Sequence, residues 1–434
     1  MPTDQASEPL PGPRPDSTPP AAAGGQPAPA PELVSQEELE ALRRAVAADL
    51  PRFLSDLERL VNVDCGSYTK AGVDEVGAWT AEAMRELGAS VASHPDDRLG
   101  ETIVGTLAGA PAGPRALLIG HLDTVFEPGT ASARPYRVED GRITGPGVSD
   151  MKAGLLAGLH ALRALDRVLP GGLAAGLPFA RLMFVANPDE EIGSPASSPI
   201  IRDLAAATDV CFVLECARAN GDIVSARKGI VDLRIRVRGR AAHAGVEPEK
   251  GRSAVLEAAH LTVALHALNG RWPGVTVNVG VARGGSRPNV VAEEAELQVD
   301  LRAAARAELE AAEAEIRARC TRPTVPDVEV EVIELARHWP MERSSGAALL
   351  AERAVSLAGR LGFALRDTAT GGASDANTTA GLGVPSLDGL GPIGGLDHSP
   401  GEYLELDSIV PRTTLLAALL LAVARDEALP RRSG

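Results

Sequence analysis

Three apolar runs in the first half of the chain share one pattern. Leu182–Ala186, Ala116–Gly120 and Val210–Leu214 are short and apolar at every position, as expected of strands buried on both faces. Each then runs into polar chemistry: the first into Asp189, Glu190 and Glu191, the second into His121 and Asp123, the third into Glu215. Helical spacing marks Ser35–Arg59, where Ser35-Gln-Glu-Glu38 has the form of a capping box, and Val76–Leu87, closed by Gly88. A further strand is predicted near Thr102–Leu107. The turn-rich Gly145-Pro-Gly-Val-Ser-Asp150 opens a helix of small residues over Lys152–Leu165.

After Lys228 the pattern becomes strictly alternating. Val231, Leu233, Ile235 and Val237 are set against Asp232, Arg234, Arg236 and Arg238, which predicts a strand with one wet face. A helix (Ser253–Leu268), two strands (Val275–Ala282, Val291–Leu301), a helix (Arg306–Arg319) and a strand (Val328–Leu335) follow. That β-α-β-β-α-β order is ferredoxin-like. Helices over Gly346–Leu361 and Ile409–Ala424 then restore the α/β character of the first half, with a glycine-rich Gly371-Gly-Ala-Ser-Asp375 between them. The reading is an α/β main domain in two parts, residues 34–227 and 338–428, interrupted by an α+β insert over 228–337. Residues 1–33, rich in Pro, Ala and Gly, are expected to be a disordered tail.

With 434 residues, 44% of them hydrophobic, the chain can bury the cores of two or three domains. A formal net charge of −15 argues against nucleic acid or an anionic membrane as partner. The four cysteines have neither zinc-finger spacing nor the density of a disulfide framework, so they are expected as core residues of a reduced protein. No signal-peptide pattern opens the chain, and no stretch is expected to reach the apolar length of a membrane helix; a cytoplasmic location follows as the expectation.

Strand ends converge at the crevice of an α/β sheet, so the acidic and imidazole groups there predict a metal site. His121 and Asp123, two apart on an extended chain, face the same way, so one can bind a metal while the other orients it. Adjacent Glu190 and Glu191 point differently, leaving one free to act as a base. Asp150, Glu215 and His398 complete a His and carboxylate set suited to zinc, cobalt or manganese.

His121-Leu-Asp-Thr-Val, Gly145-Pro-Gly-Val-Ser-Asp150-Met-Lys-Ala-Gly, Pro188-Asp-Glu-Glu191-Ile-Gly-Ser and His243-Ala-Gly, in that order, resemble the dinuclear zinc peptidase family of glutamate carboxypeptidase, acetylornithine deacetylase, succinyl-diaminopimelate desuccinylase and the aminoacylases. The resemblance covers roughly residues 37 to 425 and looks closest to the glutamate carboxypeptidases. It implies a mixed-sheet zinc-peptidase catalytic domain with an inserted ferredoxin-like dimerisation (lid) domain. It also implies two Zn2+ per subunit, replaceable by Co2+ or Mn2+. Asp150 would bridge them across a cis Asp150–Met151 peptide, with His121 and Glu215 on one metal and Glu191 and His398 on the other. Glu190 would be the general base acting on a metal-bridging water, and Asp123 would orient His121. His243 would reach the active site of a partner subunit in a homodimer. Asn289, Arg302, Gly371 and Gly372 would bind substrate. The implied activity is hydrolysis of an amide bond in a small peptide or N-acyl amino acid, most like a glutamate carboxypeptidase. An N-acyl amino acid deacylase is the alternative within the enzymes, and a catalytically silent binding module the alternative outside them.

Overall fold

The computed structural model describes residues 32–432. The expected disordered tail therefore falls outside the described residues except at its end, where Leu33 already packs against the core.

The apolar runs form the centre of a six-stranded mixed sheet. Its order is Ser90–His94, Thr102–Ala108, Arg181–Asn187, Arg115–His121, Val210–Val213 and Ser386–Leu387. The Arg181–Asn187, Arg115–His121 and Val210–Val213 strands lie parallel in register, so His121 sits beside Asn187 and Ile119 beside Val213. Their carboxyl ends consequently meet at one edge of the molecule. Every position is apolar because each face has its own core. Leu118, Phe184 and Phe212 pack with the helices Gln36–Val61, Ala153–Val168 and Ile409–Arg425. Leu117, Ile119, Met183, Val185, Cys211 and Val213 pack on the other face with Ile201, Ala205 and Ala376.

The alternating segment belongs to a separate four-stranded antiparallel sheet, ordered Thr276–Gly284, Glu294–Ala303, Gly229–Arg238, Glu329–His338. Val231, Leu233, Ile235 and Val237 are buried in a second core formed with the helices Ala254–His266 and Arg306–Cys320. The element order in this stretch is the expected ferredoxin-like one.

Several elements depart from the sequence expectation. The Ser90–His94 strand carries almost no buried residue, so periodicity does not announce it. The second helix starts at Lys70, a turn and a half before its amphipathic stretch begins. A small sheet of Gly394–Gly395, Tyr403–Glu405, Arg142–Thr144 and Arg137–Glu139 likewise has no signal in the pattern of its short strands. The expectation about membrane-length segments needs correction. Leu406–Arg425 is 20 residues long with a mean hydropathy of 1.6, enough to cross a bilayer by length and composition. In the fold 78% of it is buried, because it packs against the first helix and the Ala153–Val168 helix as a core element.

The chain crosses between the two sheets twice, at Lys228 and at Trp339. Arg227 and Met341 exchange two backbone hydrogen bonds there, at 2.9 and 3.1 Å. The fully buried Asn377 grips both crossings: its Nδ2 donates to the carbonyls of Lys228 (3.0 Å) and Trp339 (2.7 Å), while its Oδ1 accepts from the Ser374 amide. Asn377→Ala removes both hydrogen bonds from these half-buried carbonyls, at about 0.5–1.5 kcal/mol each. Denaturant unfolding is expected to show a loss of about 1–3 kcal/mol; a change below about 0.5 kcal/mol, the range of ordinary surface substitutions, would contradict the clamp.

Candidate active site

Each element delivers one part of the cluster. The Arg115–His121 strand ends in His121, which is 1% exposed. The Arg181–Asn187 strand runs through Asp189 into a short 3-10 turn, Glu190–Ile192. The Val210–Val213 strand leads to Glu215, and the turn-rich segment before the Ala153–Val168 helix presents Asp150. The Asp150–Met151 peptide is cis. His398 arrives from a late loop in which Leu396 and His398 both have left-handed φ values, 58° and 61°.

Asp150 straddles the cluster. Its Oδ1 lies 3.0 Å from His121 Nε2 and its Oδ2 lies 3.0 Å from His398 Nε2. Glu215 Oε1 is 3.7 Å from His121 Nε2, and Glu191 Oε2 is 3.1 Å from His398 Nε2. The five groups expected as ligands thus form two sets sharing Asp150. Glu190 belongs to the same neighbourhood, with donor atoms of His121, Glu190 and Glu215 all within 4.8 Å of one another. Asp150, Glu190, Glu191, Glu215 and His398 line a cavity of about 170 Å³ together with Cys216, Arg218, Arg227, Ala373 and Asp397, with His121 buried behind them.

The electrostatics reflect many acids in little space. Burial first, then the neighbouring Glu215, Asp375 and Glu191, push the Glu190 carboxyl well above its ordinary range, against the pull of His121. Burial and Asp150 do the same to Glu215. Asp150 is held low, because hydrogen bonds from His121 and His398 outweigh its burial. The same contacts from Asp150 and Glu191 raise His398 to about 11. The buried Oε1 of Glu191 has no hydrogen-bond partner. An oxygen-rich set with two imidazoles and an orphaned carboxylate oxygen fits divalent metal ions.

Asp123 touches more than a histidine. His121 Nδ1 sits 3.0 Å from the Asp123 backbone carbonyl and 3.4 Å from its carboxylate. The carboxylate itself accepts the amides of Glu190 and Glu191, each at 3.2 Å, and the Ser67 hydroxyl at 2.6 Å. It fixes the turn that carries both glutamates.

The expected substrate residues lie apart from this cluster. His243 is exposed and paired locally with Val290, beside the Asn289 carbonyl, and neither His243 nor Asn289 lines the cavity. Arg302 is held by three hydrogen bonds to Asp300 and donates to the Gly371 carbonyl at 2.9 Å. The Gly372 carbonyl accepts from Arg227 at 3.1 Å, so both glycines already bind arginines through their oxygens.

Sequence reasoning missed two supports. Buried Asp375 accepts from Asn187 and Ser194, each at 2.7 Å, bracketing the Glu190 turn; burial raises it to about 6. Arg227 pairs with buried Asp388 at 2.7 Å and lines the cavity. The only sequence signal for Asp375 was its place at the end of the glycine-rich stretch; Arg227 had none.

The chain is similar to known proteins along most of its length. The profile of peptidase family M20/M25/M40 matches residues 117–422. Carboxypeptidase G2 of Pseudomonas sp. (strain RS-16) is 29% identical over 393 residues, 89% of this chain and 93% of that enzyme. The N-acetyl-L-citrulline deacetylase of Xanthomonas campestris pv. campestris is 30% identical over 262 residues, covering 57% and 66%. Among solved structures, aminopeptidase PepT from Bacillus cereus ATCC 10987 matches with a TM-score of 0.69 over 90% of this chain and 100% of its own, at 23% identity, a likeness of fold.

Zinc added to metal-stripped protein is expected to raise its thermal midpoint. At free zinc about 100 times the dissociation constant, each site adds about 2.7 kcal/mol. Asp150→Asn removes the carboxylate common to both sets and should abolish most of that rise. A midpoint indifferent to zinc would rule out the metal site.

Proposed function

The chain belongs to peptidase family M20/M25/M40, and on that premise we propose a zinc-dependent hydrolase of carboxypeptidase type, with two zinc ions per subunit and a dipeptide or N-acyl amino acid bearing a free carboxylate as substrate. It is a metal-dependent enzyme that hydrolyses the amide bond of a small peptide or N-acyl amino acid. The observation carrying the dinuclear reading is Asp150, whose two oxygens serve two different histidines.

His121, Asp150 and Glu215 would hold one ion, and Asp150, Glu191 and His398 the other. Bound zinc lowers the pKa of water toward neutrality and polarises a carbonyl oxygen. Glu190 takes the proton from the attacking water and delivers it to the leaving nitrogen. Burial, joined by its acidic neighbours, raises this carboxyl above its ordinary range, the direction that strengthens it as a proton acceptor. Asp123 keeps Glu190 aimed by holding its amide. Among the described residues, Arg218 and Arg227 are the only cations other than histidine in a wall of carboxylates, which favours a substrate with a free carboxylate. Arg302 joins them by exchanging the Gly371 carbonyl for the substrate. The match to a deacetylase supports N-acyl amino acids as a second substrate class.

The insert supports dimerisation. Val255, Leu256 and Val263, at 42, 50 and 73% exposed, form an apolar face on the Ala254–His266 helix beside the edge strand Thr276–Gly284. An edge strand next to an apolar helix face suits isologous pairing, which would bring His243 of one subunit toward the other's site. The buried free cysteines support a reducing compartment such as the cytoplasm.

The zinc- and cobalt-loaded enzyme, screened against dipeptides and N-acyl amino acids with varied C-terminal residues, tests the reading. Glu190→Gln is expected to lower turnover by at least about 10²–10⁴-fold while keeping both metals. Loss of metal in that variant would make Glu190 a ligand instead. Val263→Glu is expected to convert a dimer to monomer in light scattering at micromolar concentration; a monomeric wild type would exclude the interface.

A further inference from the structure

We propose that Glu402 is a positioning residue that ties the Asp150 loop to the His398 loop and so sets the spacing between the two metal positions. The inference rests on the dinuclear metal reading and adds a residue outside the ligand set and the proton path.

Glu402 is 1% exposed. Its Oε1 accepts the amides of Ser149 (2.8 Å) and Asp150 (3.0 Å), and its Oε2 accepts the amide of Gly147 (2.9 Å). Both oxygens are thus spent on backbone N–H groups, and neither belongs to a ligand cluster. Those three amides flank the backbone of the residue that must aim two oxygens at two partners. The other end of the tie is covalent: Glu402 follows His398 by four residues, and its own amide donates to the Ser399 carbonyl at 3.2 Å.

A second contact presses the same two loops together. A Cβ added to Gly394, just before the His398 loop, would collide with the fully buried Ser149 hydroxyl. The His398 loop also needs outside support. Leu396 and His398 both hold left-handed backbone conformations, which are strained for such residues and persist only where surrounding structure over-determines them. No local hydrogen-bond pattern would place His398 Nε2 3.0 Å from Asp150, 248 residues away. A carboxylate four residues further on, fastened to the Asp150 backbone, does.

A carboxylate is the group suited to this task. Three converging N–H donors need acceptors only. Glutamine would set its amide NH2 against the Gly147 N–H, or against those of Ser149 and Asp150 if flipped, and aspartate is one methylene too short to reach all three.

The test compares zinc affinity in folded protein. Glu402→Gln and Glu402→Asp are titrated against a competing chelator, and metal content is measured after dialysis at fixed free zinc. Glu402→Gln is expected to weaken zinc binding by about 10–100-fold, as loss of a supporting group around a metal site does. Glu402→Asp should lie between it and wild type. In the cobalt-loaded forms the visible absorption bands are expected to shift, a signature that loss of stability alone would not move. Glu405→Gln, which breaks only the exposed pair with Arg142, should match wild type throughout. Wild-type affinity and an unshifted cobalt spectrum in Glu402→Gln would overturn the proposal. Should that variant fail to fold, Glu402→Asp decides by the same measure. A wild-type chain that binds no zinc would instead refute the metal reading itself, so the two failures are distinct.

Discussion

Everything near the catalytic cavity depends on one electrostatic constraint. Asp150, Glu190, Glu191 and Glu215 converge within a few ångströms of two imidazoles, mostly out of water. Like charges at such separations repel strongly when desolvated. The opposing directions of the titrations express this, with Glu190 and Glu215 pushed up by burial and by their acidic neighbours while Asp150 is held low between its two histidines. Divalent cations resolve the conflict by compensating the carboxylates directly. The metal chemistry and the fold are therefore two sides of one arrangement, since parallel strands bring these groups together only at their carboxyl ends.

The supporting groups follow from the same constraint. A turn carrying two adjacent carboxylates will not stay in place unaided. Asp123 takes the amides of Glu190 and Glu191, and Asp375 is braced by Asn187 before the turn and Ser194 after it. Each support is itself a buried acid whose lone pairs are satisfied by N–H or O–H donors, so it adds orientation without an exposed acceptor. Arg227, paired with Asp388 and bonded to the Gly372 carbonyl, places a cation within the anionic wall.

Specific contacts join the second sheet to this centre. Asn377 holds both chain crossings, and it lies in the same short helix as Asp375. Arg302 reaches from the second sheet to the Gly371 carbonyl just before that helix. The segment 371–381 therefore touches the Glu190 turn on one side and the second sheet on the other.

What could be read without coordinates was whatever depends on local order. Apolar runs at Leu182–Ala186 and Ala116–Gly120 declared doubly buried strands, the alternation from Ile230 declared a one-sided sheet, and acids at strand ends declared a site, because side-chain period and strand polarity are properties of neighbouring residues. The same logic found the last helix but not its membrane-spanning length, and apolar composition does not say whether lipid or protein buries it. Tertiary structure alone decided the rest. Ser90–His94 is a strand because Thr102–Ala108 pairs with it, not because of its own pattern. Arg302 is engaged by Asp300 and Gly371, which its position at a strand end did not reveal. Glu402 meets Asp150 across 252 residues of chain. Contacts of that kind obey no period, since they are chosen by which loops the packed core brings together, and only the folded chain specifies them.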